Sequence, residues 1–523
     1  MASTAHTTVD LSAAMVTTAV PASDWLIIMP VAWCLIAGAL LLMVRKRTDI
    51  QPVIAIIALT ILCLFDVLLL AKVATSGTVT MVMGRWLPPF GIAFTVDLMS
   101  ALFTMTTGLV GLIAAIFARD EVDDTGRRYG FYPFLLLLIA GVSGAFLTGD
   151  IFNLYVWFEV LLISSFGLLV LGSERAQIDG ATKYAFLNLI GTTLFLVATG
   201  YLYGLFGTLN MADILVKAPV LGQTAPLMTL VVLYLLAFCM KAAAFPVNFW
   251  LPASYHTPKL VVSALFGGLL TKVGIYALLR VLVMLFPLGR DELAGLIAVV
   301  AALTMLLGVV GALAQNDTRR AVGFLVISGI GVMLAGVALG SPGGLAGTIF
   351  YAVHSMVVMT AIYFVAGLGG AVAGSFLLSQ SGGIYAARAS FAFMALALFL
   401  SVAGLPPFSG LWPKVMLVKA ALDVGAWWLA ASILLTGFLT TITVGRIWAL
   451  AYWRPAPAET AGEKAETVQI KPIAMVSLAS LTALTVGFGL WPEPLIEASQ
   501  HAARGLLDPS AYVLSVFPGE VPQ

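Results

Sequence analysis

The chain has 523 residues, 61% of them hydrophobic and only 10% charged, whereas a soluble domain is about half apolar and a quarter charged. No sphere of this size could hide so much apolar surface, so a soluble multidomain enzyme is excluded. A net charge of +1 without a clustered basic surface excludes nucleic acid as a partner, and the isolated Cys34, Cys63 and Cys239 exclude an iron–sulfur, zinc or haem site.

Residues 1–23 contain no Lys or Arg, so the positive n-region of a signal peptide is missing. The first apolar run, 25–44, ends in Arg45-Lys46-Arg47 and reads as a first transmembrane helix with a non-cytoplasmic N-terminus. Further runs follow at 52–73, 95–118, 130–148, 151–172, 182–205, 226–246, 259–286, 293–314, 320–340 and 345–369. The last are 389–405 continuing through 409–422, then 427–451 and 472–491, which makes fourteen. The expected fold is an all-α polytopic membrane protein with about 14 transmembrane helices.

Basic residues test the count. With the N-terminus outside, inner loops hold fourteen: Arg45, Lys46, Arg47, Arg119, Arg127, Arg128, Arg175, Lys259, Arg319, Arg320, Arg388, Arg454, Lys464 and Lys471. Outer segments hold four, Arg85, Lys217, Arg290 and Arg504. That bias supports an even number of spans and places both termini on the non-cytoplasmic side.

Eight basic residues remain inside spans: Lys72, Lys183, Lys241, Lys272, Arg280, Lys414, Lys419 and Arg446. Asp66 and Glu159 are acids placed likewise. A charge at mid-membrane costs about 2.5–3.5 kcal/mol on insertion scales, so such residues face a cavity or a partner. Glu159 lies nine residues beyond Asp150, roughly 13 Å into its span. It reads as a proton or ion relay, or as a structural acid bonded to a neighbouring helix. Lys241 precedes Phe245-Pro246, where proline should break the helix and the irregular backbone should line a cavity. It reads as a titrating site or as the static partner of Glu159, since lysine shifts its proton affinity readily when buried. Lys272 sits among Gly267, Gly268 and Gly274, which allow close helix packing and turn the lysine into the bundle.

A second break, Gly404-Leu405-Pro406-Pro407, is followed by Lys414. Two interrupted spans, each with a nearby lysine, point to two inverted five-helix repeats. The expected organisation is 1–129 for helices 1–3, 130–286 for the first repeat (helices 4–8), 292–452 for the second (helices 9–13), and 472–523 for helix 14 and a tail. His354 is the one histidine well inside a span; His256 follows the first break, and His6 and His501 are terminal. His354 stands evenly between a bundle residue and a relay group titrating near neutrality. Lys183 and Lys419 are accessory candidates, while Arg280, Lys72 and Arg446 read as structural. No GxxxxGK[ST], GxGxxG or HExxH pattern occurs, so no ATP, nicotinamide, metal or other cofactor is expected, and the energy must come from an ion gradient or a neighbour.

From about Phe131 to Trp448 these residues resemble the antiporter-like subunits shared by respiratory complex I and the Mrp/Mnh/Pha-type multisubunit cation/proton antiporters. The likeness rests on the acid in the Gly149-Asp150-Ile151-Phe152-Asn153-Leu154 helix, the lysine before Phe245-Pro246, Leu270-Thr271-Lys272-Val273-Gly274 and the Pro406-Pro407 break. The resemblance implies a line of buried charges at mid-depth, with Glu159 and Lys241 as a coupled pair, Lys272 connecting and Lys414 terminal. Within the family, the sequence is most similar to the D-subunit type. Complex I subunits usually show FPFHxWLPxAH, where this chain has Asn248 and then Leu251-Pro252-Ala253-Ser254-Tyr255-His256; one complex I type has glutamate at the place of Lys414, and no long lateral helix follows the last span. Met359 stands where the family pattern places a lysine.

The implied function is a proton-translocating subunit of a Na+(K+)/H+ antiporter in the bacterial inner membrane, serving pH homeostasis, a transporter subunit rather than an enzyme. Its partners would be the other hydrophobic subunits (A, B, C, E, F and G types), protons, Na+ or K+, and the bilayer. The alternative is a proton-pumping subunit of a complex I-like NADH–quinone oxidoreductase or membrane-bound hydrogenase. An inert scaffold would leave the buried charges unexplained.

Overall fold

The computed structural model describes residues 14–16, 19–221, 226–456 and 470–518. His6 and Lys464 lie outside these residues. The chain begins with α1 (Met29–Met43) and α2 (Gln51–Ser76), followed by the strands β1 (Val79–Val82) and β2 (Ala93–Val96), then α3 (Leu98–Glu121). Next come α4 (Phe131–Leu147), α5 (Ile151–Leu169), α6 (Arg175–Phe206), α7 (Leu227–Ala242) and α8 (Leu260–Leu285). The second half contains α9 (Ala294–Ala314), α10 (Thr318–Leu339), α11 (Pro342–Ala373), α12 (Ala389–Ala403), α13 (Leu411–Asp423) and α14 (Trp427–Trp453). The chain ends in α15 (Pro472–Leu490), α16 (Glu493–Leu507) and α17 (Ser510–Val516).

Every apolar run read from the sequence falls on one of these helices. Among the described residues ten are long and apolar enough to cross a membrane: α2, α3, α5, α6, α8, α9, α10, α11, α14 and α15. The runs at 25–44, 130–148, 226–246 and 389–405 fall on the shorter apolar helices α1, α4, α7 and α12. The protein is a helical polytopic membrane protein.

Helix starts carry legible caps. The Asp150 carboxylate accepts the Asn153 N–H at 2.8 Å to open α5, and Asp317 accepts the Arg319 N–H at 2.8 Å to open α10. The ends are more varied. Gly404 takes φ 85°, a left-handed conformation that closes α12 just before the second proline pair.

Burial sets the layers. The most apolar stretch of α8 is entirely buried, whereas that of α2 is 33% buried, so α8 is central and α2 peripheral. α8 is also irregular, with π-helical segments at Phe266–Leu270 and Leu279–Leu285. Gly274 lets it approach α7: a Cβ there would stand 2.8 Å from the Ala242 backbone nitrogen.

Three features give the sequence reading its detail. The loop after α2 is a small antiparallel hairpin, pairing Val79 with Val96 and Val82 with Ala93, a local addition to the helical fold. The span at 389–405 continuing through 409–422 is two helices separated by residues 404–410, around the expected Pro406-Pro407 break. The C-terminal tail contains α16 and α17, whose apolar faces are too short and too mixed with polar residues to read as spans. α17 docks on the hairpin through Ser515, whose Oγ lies 2.8 Å from Thr80 Oγ1.

Arg280, Lys72 and Arg446 each have fixed partners. Arg280 is fully buried; its guanidinium donates to Asp97 at 2.6 Å and Ser100 Oγ at 2.9 Å and lies 5.4 Å from the Tyr512 ring centroid. Lys72 pairs with Asp24 at 2.7 Å, and Arg446 donates to the carbonyls of Leu313 and Gln315. In the loop after the first break, the His256 ring meets the Pro252 carbonyl at 2.9 Å and receives the Arg320 Nε–H at 3.3 Å. Burial, helped by the Arg320 charge, holds that imidazole below its usual range.

Candidate functional site

Lys241 occupies the last turn of α7 and is 6% exposed. Its ammonium donates to the Asn188 carbonyl at 3.0 Å and to the Thr192 hydroxyl, both on α6, and lies 5.8 Å from the Phe158 ring centroid. The helix ends at Ala242, four residues ahead of Pro246, because Ala243 takes φ 60° and turns the chain away. The proline therefore marks the break without being its first irregular residue. Two tethers hold the irregular segment: Phe245 N–H donates to Thr304 Oγ1 at 3.0 Å, and Trp250 Nε1 donates to the Met240 carbonyl at 3.2 Å.

Glu159, on α5 beside Phe158, is half-buried with the Tyr155 phenol as a neighbour. Among the described residues no ion pair joins it to Lys241, although the two are close enough to interact electrostatically. The bonds of Lys241 go to a carbonyl and a hydroxyl, neutral groups that keep an ammonium in place without cancelling its charge.

Lys272 is fully buried, and its ammonium donates to the Gly267 carbonyl at 2.6 Å. That acceptor exists because residues 266–270 are π-helical: the wider turn aims a backbone oxygen at a side chain five residues on. Glu121, at the end of α3, accepts from the backbone N–H groups of Leu260 and Val261 at 2.5 and 2.8 Å, fixing the start of α8.

In the second half, His354 on α11 is 2% exposed and its Nδ1 lies 2.8 Å from Ser409 Oγ. Ser409 belongs to the segment following Pro406-Pro407 and reaches Ser401 of α12 at 3.1 Å. Lys414 donates to the carbonyls of Val402 and Ala403 at 3.0 and 2.7 Å, capping the last turn of α12 from across the break. A small cavity beside it is lined by Ser328, Tyr351, Thr436 and Thr440. His354 lies within electrostatic range of both Lys272 and Lys414. Met359, buried at 1% exposure, supplies no charge there.

The structure thus brings Glu159 near Lys241, and Lys272, His354 and Lys414 into one electrostatic neighbourhood. It does not bring Lys183 or Lys419 to them. Lys183 pairs with Asp179 at 2.5 Å and Lys419 with Asp423 at 2.7 Å, each on its own helix, with side chains 52% and 74% exposed. Sequence reasoning missed Thr192, Asn188, Ser409 and Ser401 because a single hydroxyl or carbonyl in a span carries no signal until its neighbour is known. It also missed the buried hydroxyls of Thr271, Ser355, Tyr255 and Tyr363, which have no hydrogen-bond partner among the described residues. Buried polar atoms of this kind are ordinarily satisfied by ordered water. Among the described residues no group of three or more His, Cys, Asp or Glu could hold a metal ion.

Comparison with known proteins gives a consistent picture. Residues 148–440 match the family described as NADH:quinone oxidoreductase/Mrp antiporter, TM. The chain is 36% identical to the D subunit of the Na(+)/H(+) antiporter of Alkalihalophilus pseudofirmus, over 94% of this chain and 99% of that one. It is likewise 36% identical to the protein of the same name from Bacillus subtilis, again over 94% and 99%. Among solved structures, a chain of the Mrp complex from a Dietzia species superposes with a TM-score of 0.87 at 30% identity, over 94% of this chain and 99% of that one.

Proposed function

The chain belongs to the D-subunit family of Na+/H+ antiporters, within the wider NADH:quinone oxidoreductase/Mrp antiporter family, and from that membership we propose how its buried charges work. It is a proton-translocating membrane subunit of a multisubunit Na+(K+)/H+ antiporter, a transporter subunit rather than an enzyme. Its partners are the other hydrophobic subunits of that complex. It resides in the bacterial plasma membrane, with both termini non-cytoplasmic, and serves pH homeostasis with Na+ or K+ as the counter-ion.

The single observation that carries the mechanism is the pair of broken helices, each holding a lysine on neutral acceptors, with Lys272 and His354 between them. An ammonium held by carbonyls and hydroxyls can lose its proton without leaving a carboxylate unpaired. Glu159 stands within electrostatic range of Lys241 and couples to it. A proton given up by Lys241 passes through the hydroxyl-lined region around Thr271 and Ser355 toward Lys272, then by His354 and Ser409 to Lys414. The organisation follows the breaks: 130–286 and 292–452 act as two inverted repeats flanked by 1–129 and 472–523. Lys183 and Lys419 take no part in the line.

A redox-complex subunit would use the same buried charges, but the antiporter names of relatives aligned over 94% of the chain favour the first reading. The test is reconstitution of the complete complex with a sodium jump in the absence of any electron donor. Proton movement that disappears in Lys241→Ala is expected. Proton movement only on supplying a quinone reductant would overturn the assignment.

A further inference from the structure

One feature outside the relay combines a cavity, unpaired charge and exposed apolar surface. At the end of the bundle where α1 leaves and α2 and α4 begin, a cavity of about 770 Å³ is lined by Arg45, Lys46, Thr48, Asp124, Arg128 and Tyr129, with Thr125. Its framework is fixed. Arg127 donates to the Thr48 carbonyl at 3.5 Å and to the Arg119 carbonyl at 2.6 Å, tying the two loops together, and Gln51 donates to the Arg45 carbonyl at 3.0 Å.

Three of the acids nearby are already engaged. Asp124 pairs with Arg127 at 3.3 Å, Asp123 with Lys259 at 3.7 Å and Asp120 with Lys471 at 3.8 Å. Asp49 is exposed in the same loop but does not line the cavity. Arg45, Lys46 and Arg128 make no ion pair among the described residues, so the cavity keeps three free cations. Beside it in the chain, at the end of α1 and the start of α2, Leu42, Met43, Ile50 and Val53 are exposed, 46%, 83%, 37% and 49% respectively. A free anion would use the cations and leave that apolar strip unused. A lipid uses both.

We propose that this cavity binds the headgroup of an anionic phospholipid whose acyl chains lie along α1 and α2, and that two phosphodiesters fit it better than one. A single phosphate would leave two of the three cations uncompensated, whereas a diphosphatidylglycerol headgroup offsets two. Basic pockets at helix ends recognise such headgroups through charge, with acyl burial supplying the rest. The site is independent of the relay and stands or falls separately from it.

The experiment is native mass spectrometry of the purified complex titrated with tetraoleoyl cardiolipin, dioleoyl phosphatidylglycerol or sodium pyrophosphate. The triple variant Arg45→Gln, Lys46→Gln, Arg128→Gln is expected to weaken cardiolipin retention roughly 100-fold, and Lys46→Gln alone roughly 5-fold, at about one basic contact's worth each. Phosphatidylglycerol should bind the wild-type complex roughly tenfold more weakly than cardiolipin. Equal cardiolipin retention by wild type and triple variant would overturn the proposal; if the triple variant fails to assemble, equal retention by Lys46→Gln does so. Displacement of cardiolipin by pyrophosphate at equal concentration would replace the lipid site with a free-anion site.

Discussion

In the first half of the molecule the lysine precedes its break and reaches across to a neighbouring helix, bonding Asn188 and Thr192 of α6. In the second half the lysine follows its break and reaches back, capping the carbonyls of Val402 and Ala403 on the stump it was cut from. The first half also has an acid, Glu159, within electrostatic range; the second has a histidine on a serine pair and, at Met359, a thioether where a charge was expected. One proline-interrupted design therefore holds an ammonium in two ways. Where a carboxylate is near, it stands within electrostatic range of the lysine, which a neighbouring helix holds. Where none is near, helix-end carbonyls alone hold the lysine.

Removing the group between the halves should break the comparison most completely. Lys272→Ala is expected to reduce antiport to that of vesicles lacking the complex, with normal assembly on size exclusion. Retained antiport would mean the halves work separately.

A smaller effect is expected from Thr192→Val, which removes one of two acceptors from Lys241. A hydrogen bond to a charged group contributes about 1.5–3 kcal/mol, so antiport should fall roughly tenfold or more while the Asn188 carbonyl keeps the ammonium near its place. Ser409→Ala leaves Lys414 on its carbonyls and should change the pH profile of antiport more than its maximum. Initial rates across a pH series in both variants separate the two modes of holding; identical profiles would erase the distinction.

The smallest effect belongs to Lys183→Ala and Lys419→Ala. Exposed pairs within one helix contribute little, so antiport and assembly should stay near wild type. A loss as deep as that of Lys272→Ala would return these residues to the pathway.

These differences track what a sequence can carry. Apolar length located the helices, because a span must bury its backbone polar groups internally and cover them with apolar side chains. A charge within a span is likewise conspicuous, and Glu159, Lys241, Lys272 and Lys414 were legible for that reason. What each lysine touches was not. The carbonyl that receives Lys272 depends on a π-turn at Gly267, and nothing in Phe266-Gly267-Gly268 distinguishes such a turn from ordinary close packing. The outward direction of Lys183 and Lys419 depends on helix rotation, which runs of uniformly apolar residues leave unmarked. The hairpin and the two C-terminal helices are held by contacts far apart in the chain, such as Thr80 with Ser515.

The central claim, that protons cross this subunit along its buried charges, is tested most directly at Glu159. Glu159→Gln keeps the size of the side chain and removes the charge that acts on Lys241. Everted vesicles carrying the assembled variant complex, assayed with a pH-sensitive dye, should show no cation-induced alkalinisation. Normal alkalinisation in fully assembled variant complex would contradict the account.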